Sequence, residues 1–410
     1  MKSTSKRVLL ILAISLIVVG AVMGALWGTI FDNILKSQLE LTNDSTTFKL
    51  WKETPIPMYI EFYMYNVTNS EEVRNNKAKP ILIELGPYVF SEEHSKTNIT
   101  WNKNQSITFN QVRRWHYLPD KSIGSLDDKI TNLNTMSLRN NSWSYDGVFN
   151  MFTGTGQVEH LGKMHSWNYY TRVPYYDGHC ADVNGTAGEL WPPNETGNEV
   201  TMFVSDLCRS ITLNYEEEQS VFGVVGRKFI GRRSVVANAT DNADNKCFTR
   251  GKIYPSGVFD VSGCKFGAPA YMSFPNFYLA DPFYLDNVVG LKPEKDKHEF
   301  QITLEPRTGI PLSVSGRLQL NLHLQPVKGI TMYESVPDVF MPMLWFTERA
   351  AVTPDLADEV KLLLIVPTAG QGIFFGLLGL GVFLVLVHVL MTLRGNWKAG
   401  EANAQLVVTS

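Results

Sequence analysis

Two long apolar stretches without Asp, Glu, Lys or Arg, Val8 to Phe31 and Leu362 to Leu393, stand at opposite ends of a chain whose middle is soluble in character. Each exceeds the ~20 apolar residues that cross a bilayer core, so both read as transmembrane helices. Lys2, Lys6 and Arg7 precede the first span and Arg394 and Lys398 follow the second. The positive-inside bias then places both tails in the cytoplasm. The expected organisation is a tail over 1–7, a span over 8–31, an ectodomain over 32–361, an interface segment and span over 362–393, and a second tail over 394–410. Pro367, Gly370 and Gln371 narrow the second crossing to about Gln371–Leu393. A cleaved signal peptide is the rival reading of the first span, but its apolar run outgrows the ~7–15 residues of a signal h-region. Gly20, Gly24 and Gly28, with Gly372 and Gly376, recur at helical spacing, which lets helices approach closely and pair or dimerise.

Between the spans the period changes to two. Leu318, Leu320, Leu322 and Leu324 alternate with Gln319, Asn321, His323 and Gln325, the pattern of a strand with one buried face. Phe300, Ile302 and Leu304 repeat it, and Glu305-Pro306-Arg307-Thr308-Gly309 between them is a turn. Met58, Ile60, Phe62 and Met64 alternate with Tyr59, Tyr63 and Tyr65, which suits either a barrel wall between an outer layer and a cavity or a strand buried between two layers. The fold class is therefore a membrane protein of α+β type, with two terminal helices flanking one β-rich, barrel-like ectodomain.

Cysteines and sequons agree with an ectodomain. Cys180, Cys208, Cys247 and Cys264 all fall in the middle segment, which predicts two disulfides in an oxidising compartment, with three connectivities open. Glycan acceptor sequences begin at Asn66, Asn98, Asn104, Asn140, Asn184, Asn194 and Asn238, and at Asn43, which lies close to the first span. None begins between Asp241 and Lys361. A net charge of -3 suggests no polyanionic partner and no nucleic acid.

Enzyme motifs do not support catalysis: no G-x-S-x-G, H-E-x-x-H, P-loop or C-x-x-C occurs, and no cofactor or metal is expected. His160 and His165 are five apart, which does not set them on one helical face. His388 lies within the second span. Two basic clusters, Arg113-Arg114 and Arg227-Lys228 with Arg232-Arg233, read either as attractors of anionic surfaces or as charged edge strands that resist aggregation.

Several segments resemble the class B scavenger receptors. They include Glu84-Leu85-Gly86-Pro87-Tyr88-Val89-Phe90, Ser205-Asp206-Leu207-Cys208-Arg209-Ser210, Gly257-Val258-Phe259-Asp260-Val261 and Leu304-Glu305-Pro306-Arg307-Thr308-Gly309. Their order matches as well. The resemblance implies a doubly anchored glycoprotein with a lipid-conducting tunnel and an apical helical bundle, and a pairing of Cys180 with Cys247 and Cys208 with Cys264. Two departures stand out. Only Thr135 to Ser144 separate Asn134 from Tyr145, where the family carries a long helical segment, so much of the apical bundle is expected to be missing. The region around Thr249 and Gly257 also lacks the cysteines of a third bridge.

The expected function is a cell-surface receptor that passes lipids, fatty acids, sterols or carotenoids, taken from lipoprotein particles, through the ectodomain to the membrane. The alternative is a phagocytic or protein-sorting receptor that recognises ligands by its surface. The tail Glu401 to Val407 has Gln405 where an acidic dileucine signal needs leucine, so the plasma membrane is preferred over endosomal or lysosomal membranes. Ligand-binding residues are not assigned by the sequence.

Overall fold

The computed structural model describes residues 3–133, 142–194 and 197–408 and divides into two units, one made of the terminal helices and one spanning Gln38–Ala357. Asn140 and most of the shortened Thr135–Ser144 connection lie outside the described residues.

The terminal helices run Ser3–Leu39 and Pro354–Val408, the second continuing through Pro367. Both are long and apolar enough to cross a membrane. They pack on each other through glycine, with a set that only partly overlaps the one the spacing suggests. A side chain at Gly20 would meet the Leu378 backbone nitrogen at 2.5 Å, and one at Gly381 the Ala13 carbonyl at 2.8 Å. Gly24 faces the Phe375 ring and Gly370 the Trp27 ring, whereas Gly28, Gly372 and Gly376 face open space. Trp27 stacks obliquely on Phe374 at 5.4 Å, and its indole nitrogen donates to the Val366 carbonyl at 3.4 Å. The motif spacing located the helices' small residues but not their rotational setting, because two long helices cross along a stripe that drifts around each axis.

The second unit is a barrel-like sheet. In chain order its strands are β1 (Met58–Val67), β2 (Leu82–Trp101), β3 (Ser106–Tyr117), β4 (Ser142–Phe152), β5 (Met164–Trp167), β6 (Glu199–Val204), β7 (Arg209–Val221), β8 (Val224–Ile230), β9 (Phe259–Asp260), β10 (Ala270–Ser273), β11 (Gln301–Leu304), β12 (Pro311–Leu324) and β13 (Val339–Ala351). Around the barrel they follow β5-β4-β3-β2-β1-β13-β12-β11-β8-β7-β6, and β9 and β10 join alongside β12. All these strand pairs are antiparallel.

The two end strands are joined by a three-residue strap. Gly185 accepts from the Met164 amide at 2.8 Å and Ala187 donates to Gly162 at 3.3 Å, on the β5 side. Thr186 donates to Thr201 at 3.0 Å and accepts from Phe203 at 2.8 Å, on the β6 side. Gly185 sits at φ +78, and a Cβ there would lie 2.2 Å from the Thr201 carbonyl oxygen. The seam therefore needs glycine both for its backbone conformation and for its space.

The turns follow local chemistry. The predicted turn after β11 is built by Glu305, whose buried carboxylate accepts from the Arg307 amide at 3.0 Å and from the Thr308 amide and hydroxyl at 2.7 and 2.5 Å. The alternation in β12 meets a different environment from the one expected. Its polar residues Gln319 and Asn321 are fully buried, because Tyr65, Ser273 and Asn276 cover them with hydrogen bonds of 2.7–3.0 Å. The face of this wall that carries its polar residues is therefore covered. Disulfides join Cys180 to Cys247 and Cys208 to Cys264, with Cα atoms 5.6 and 6.4 Å apart.

Two outcomes test this account. Gly185→Ala should destabilise the full-length protein in detergent by more than about 3 kcal/mol, while Gly156→Ala, at φ +71 but facing open space, should cost only about 1 kcal/mol. Thermal unfolding with equal losses in both would mean that the seam does not constrain the barrel. In the membrane unit, Gly381→Leu should lower surface expression several-fold and Gly376→Leu should not, as read by surface biotinylation.

Candidate functional site: the interior of the barrel

Antiparallel partners share a face, so the register identifies one continuous surface made of Ile60, Phe62 and Met64 on β1, Phe90, Glu92 and His94 on β2, Leu344, Phe346 and Glu348 on β13, Leu318 and Leu320 on β12, and Arg113, Trp115 and Tyr117 on β3. Arg113 proves that this surface points inward. From β3 it reaches Glu348 on β13 at 2.8 Å, three strands away around the sheet, and Asp206 in the β6–β7 turn at 3.0 Å. Only a path through the interior joins these positions.

One zone of this interior is ionic. The Arg113 Nε also bonds Asp146 at 2.9 Å and lies 3.8 Å from Glu92. A β-bulge supplies Asp146: Gln111 pairs with Gly147 and Val112 with Tyr145, so Asp146 has no cross-strand partner and turns toward the guanidinium. The Trp167 indole satisfies its backbone carbonyl at 2.9 Å. Neighbouring Glu92, His94 and Lys96 recur at strand spacing on the same face. Both His94 ring nitrogens meet carboxylates, Glu189 and Glu92, at 3.1 Å each, and Lys96 pairs with Glu189 at 3.0 Å.

The electrostatics follow from these partners. Burial pushes the His94 imidazolium down, but the hydrogen bonds to Glu189 and Glu92 outweigh it and hold its pKa at about 9. Burial likewise works against the Glu189 carboxylate, yet Lys96 and His94 hold it at about 2. Glu348 is raised well above the usual carboxylate range by burial and by repulsion from Glu92, against the pull of Arg113. The Asp206 and Glu348 side chains remain 37% and 38% open while bonded to a guanidinium that is 8% open. The accessible polar atoms of this zone are thus the acid oxygens of Asp206 and Glu348, and its cations are covered.

The second zone is aromatic. Phe62 lies 5.8 Å from Phe90, 6.5 Å from Trp115 and 6.2 Å from Phe346, and Phe90 lies 5.3 Å from Tyr117. Phe62, Trp115, Tyr117, Phe346 and Leu320 are only half-buried although their rings face one another across the sheet. Tightly filled cores bury such side chains completely. At the end where β1 begins, Lys52, Ile56, Met58, Glu92, His94 and Lys96 line a cleft of about 410 Å³.

The sequence-predicted residues are distributed as follows. Asn98, Asn104, Asn184 and Asn194 are exposed, and Asn66 and Asn238 are half-buried. The Asn238 amide nitrogen donates to the Tyr254 carbonyl at 2.8 Å. His160 and His165 pack on the Phe152 ring at 5.8 and 5.5 Å. The edge-strand reading of the basic clusters is overturned, since β3 lies between β2 and β4 and β8 between β7 and β11. Arg113 is an interior hub, and Lys228 is buried against Glu299 at 3.1 Å. Arg232 and Arg233 pair with Glu216 and Asp241. Sequence reasoning missed Glu92, His94 and Lys96, for which the only trace is three charged residues at period two.

Known proteins place the chain by comparison. The CD36 family profile matches residues 10–142 and 135–392, in two stretches that meet at the shortened connection. Protein peste of Drosophila melanogaster is 34% identical over 88% of this chain and 78% of its own length. Scavenger receptor class B member 1 of Mus musculus is 30% identical over 92% and 88%, and Lysosome membrane protein 2 of Homo sapiens is 26% identical over 91% of each. The alignment to peste runs over 435 positions, more than the 410 residues here, so that relative holds residues with no counterpart in this chain.

The ionic zone makes stability depend on pH in a stated direction. His94 titrates at about 9 when folded against an ordinary 6.5, so its contribution is complete below pH 6.5 and is lost as pH rises through 9; the raised Glu348 has the same sign, but its contribution is complete only below its ordinary 4.5 and is lost from there upward. Glu189 at about 2 contributes above its ordinary 4.5 and loses that contribution as pH falls through 2. Unfolding midpoints should therefore peak near pH 4.5 and decline toward pH 9, and His94→Gln should flatten the part of that decline above about pH 6.5. An unchanged alkaline limb in that variant would remove His94 from the account.

Proposed function

Because the chain belongs to the CD36 family, we propose that it is a cell-surface scavenger receptor that takes apolar lipid from lipoprotein particles and passes it through the barrel interior to the membrane. The observation that carries this reading is the aromatic zone, whose half-buried rings face one another instead of closing on each other. Such a surface offers a lipid an apolar environment at about 25 cal/mol per Å² of area removed from water. The cleft at the β1 end adjoins the same face, with the ionic zone between it and the aromatic rings. Because the cations of that zone are covered and its accessible polar atoms are the acid oxygens of Asp206 and Glu348, uncharged sterols and polyenes suit the path better than a fatty-acid anion does. Glycans at the exposed acceptor asparagines and cytoplasmic placement of both tails complete the proposal.

A surface-recognition reading has its own support. Trp143, Tyr145, Tyr169 and Tyr170 are 68%, 51%, 80% and 53% exposed, an aromatic group suited to ligand contact without transfer. One experiment separates the two readings. Leu320→Trp, which fills the aromatic zone, should reduce transfer of labelled sterol into cells at least roughly fivefold while leaving lipoprotein docking within about twofold, a difference of about 1 kcal/mol. Undiminished sterol transfer in a surface-expressed Leu320→Trp protein would reject the conduit and leave recognition by the surface.

A further inference from the structure

A second buried guanidinium stands apart from the barrel interior and is treated in the opposite way. Arg209, at the start of β7, is 5% exposed, yet among the described residues it forms no ion pair. Its Nε reaches the Ser210 carbonyl at a long 3.4 Å, and its guanidinium lies 3.3 Å from the Phe248 ring centre and 5.1 Å from that of Phe259. Burial lowers its pKa to about 10, and only Tyr176 opposes that shift. Arg113, equally buried, is met by Asp146, Asp206 and Glu348 within 3.0 Å. An unpaired charge removed from water is costly, and stacking on aromatic faces returns only part of that cost. Among the described residues its two terminal guanidinium nitrogens have no hydrogen-bond acceptor.

Arg209 lines a pocket of about 50 Å³ whose rim carries Asn245, Thr249, Arg250 and Lys252. Arg250 donates to the Tyr175 carbonyl at 3.1 Å, and Lys252 lies 4.9 Å over the Tyr254 ring. Neither of these cations has a carboxylate partner among the described residues. The one acid in the lining, Asp260, accepts the Ser262 amide at 2.8 Å. Three cations converge on a space the size of a small anion, and the guanidinium fork suits bidentate contact with two oxygens.

We propose that this pocket binds an oxyanion, a phosphate or sulfate group, with Arg209 as its buried fork and Arg250 and Lys252 as its rim. It is a site separate from the lipid path and does not depend on the proposed transfer activity. The test uses the full chain in detergent at constant ionic strength, replacing chloride by inorganic phosphate and reading the unfolding midpoint. The midpoint should rise saturably with phosphate, and the half-maximal concentration should increase at least about fivefold in the Arg250→Ala, Lys252→Ala double variant, equivalent to about 1 kcal/mol. Arg209→Met should abolish the effect. Should that variant not fold, the double variant, whose side chains are exposed, decides alone. A parallel titration with dioctanoyl phosphatidic acid identifies the source: a response to it alone assigns a lipid headgroup, and a response to phosphate assigns the free ion. No midpoint shift with either, or equal shifts in wild type and the double variant, overturns the site.

Discussion

A guanidinium cannot leave water without its counter-charges, and Arg113 is where the barrel meets that demand. The carboxylates that answer it come from β4, β13 and the β6–β7 turn, with Glu92 of β2 just behind. Elements far apart in sequence are therefore tied to one side chain. In a poorly polarisable interior, removing one partner of such a group costs about 3–5 kcal/mol, so the arrangement is held more by the penalty for breaking it than by a large net gain from forming it. Its geometry also divides the interior. On one side stand the rings of Phe62, Trp115 and Phe346, and on the other the cleft beside Lys96.

Ion cluster and barrel seam depend on each other. Asp206 can reach Arg113 only if the β6–β7 turn is held close to β3, and the strap from Gly185 to Ala187 is what fastens β6 to the β5 side of the sheet. The bulge at Asp146 works at shorter range, turning one residue of β4 inward without disturbing the ladder on either side. The relation is reciprocal: the ion pairs resist opening of the same seam that positions them.

Much of the wall was legible in the sequence. Periods of two marked β1, β11 and β12, and the turn at Glu305–Gly309 announced itself by its composition. The polar positions of β12 were misplaced because alternation reports that two faces differ, and it does not report that the polar one faces water; Gln319 and Asn321 are covered by residues hundreds of positions apart or on separate loops. Arg113 was illegible for a related reason, since the acids that allow its burial lie in other strands. The β7–β8 hairpin shows the limit of turn rules. Phe222 and Gly223 both take positive φ, at 47 and 84, in a place where Asn-Gly is the recognisable pair. Glycine spacing in the spans found Gly20 and Gly24 but missed Gly370 and Gly381, because which glycines meet depends on where two helices cross.

The strap has a consequence for how this chain survives its own synthesis. Until Gly185 to Ala187 settle between β5 and β6, both of those strands present unpaired amides and carbonyls, and either can accept a strand from another molecule. The finished barrel has neither edge open. The hazard is therefore confined to the interval before the last few hydrogen bonds form, and it grows with the concentration of half-closed chains. A lesion at this seam would be expected to show itself first as sticky, retained protein and only afterwards as a receptor that works poorly.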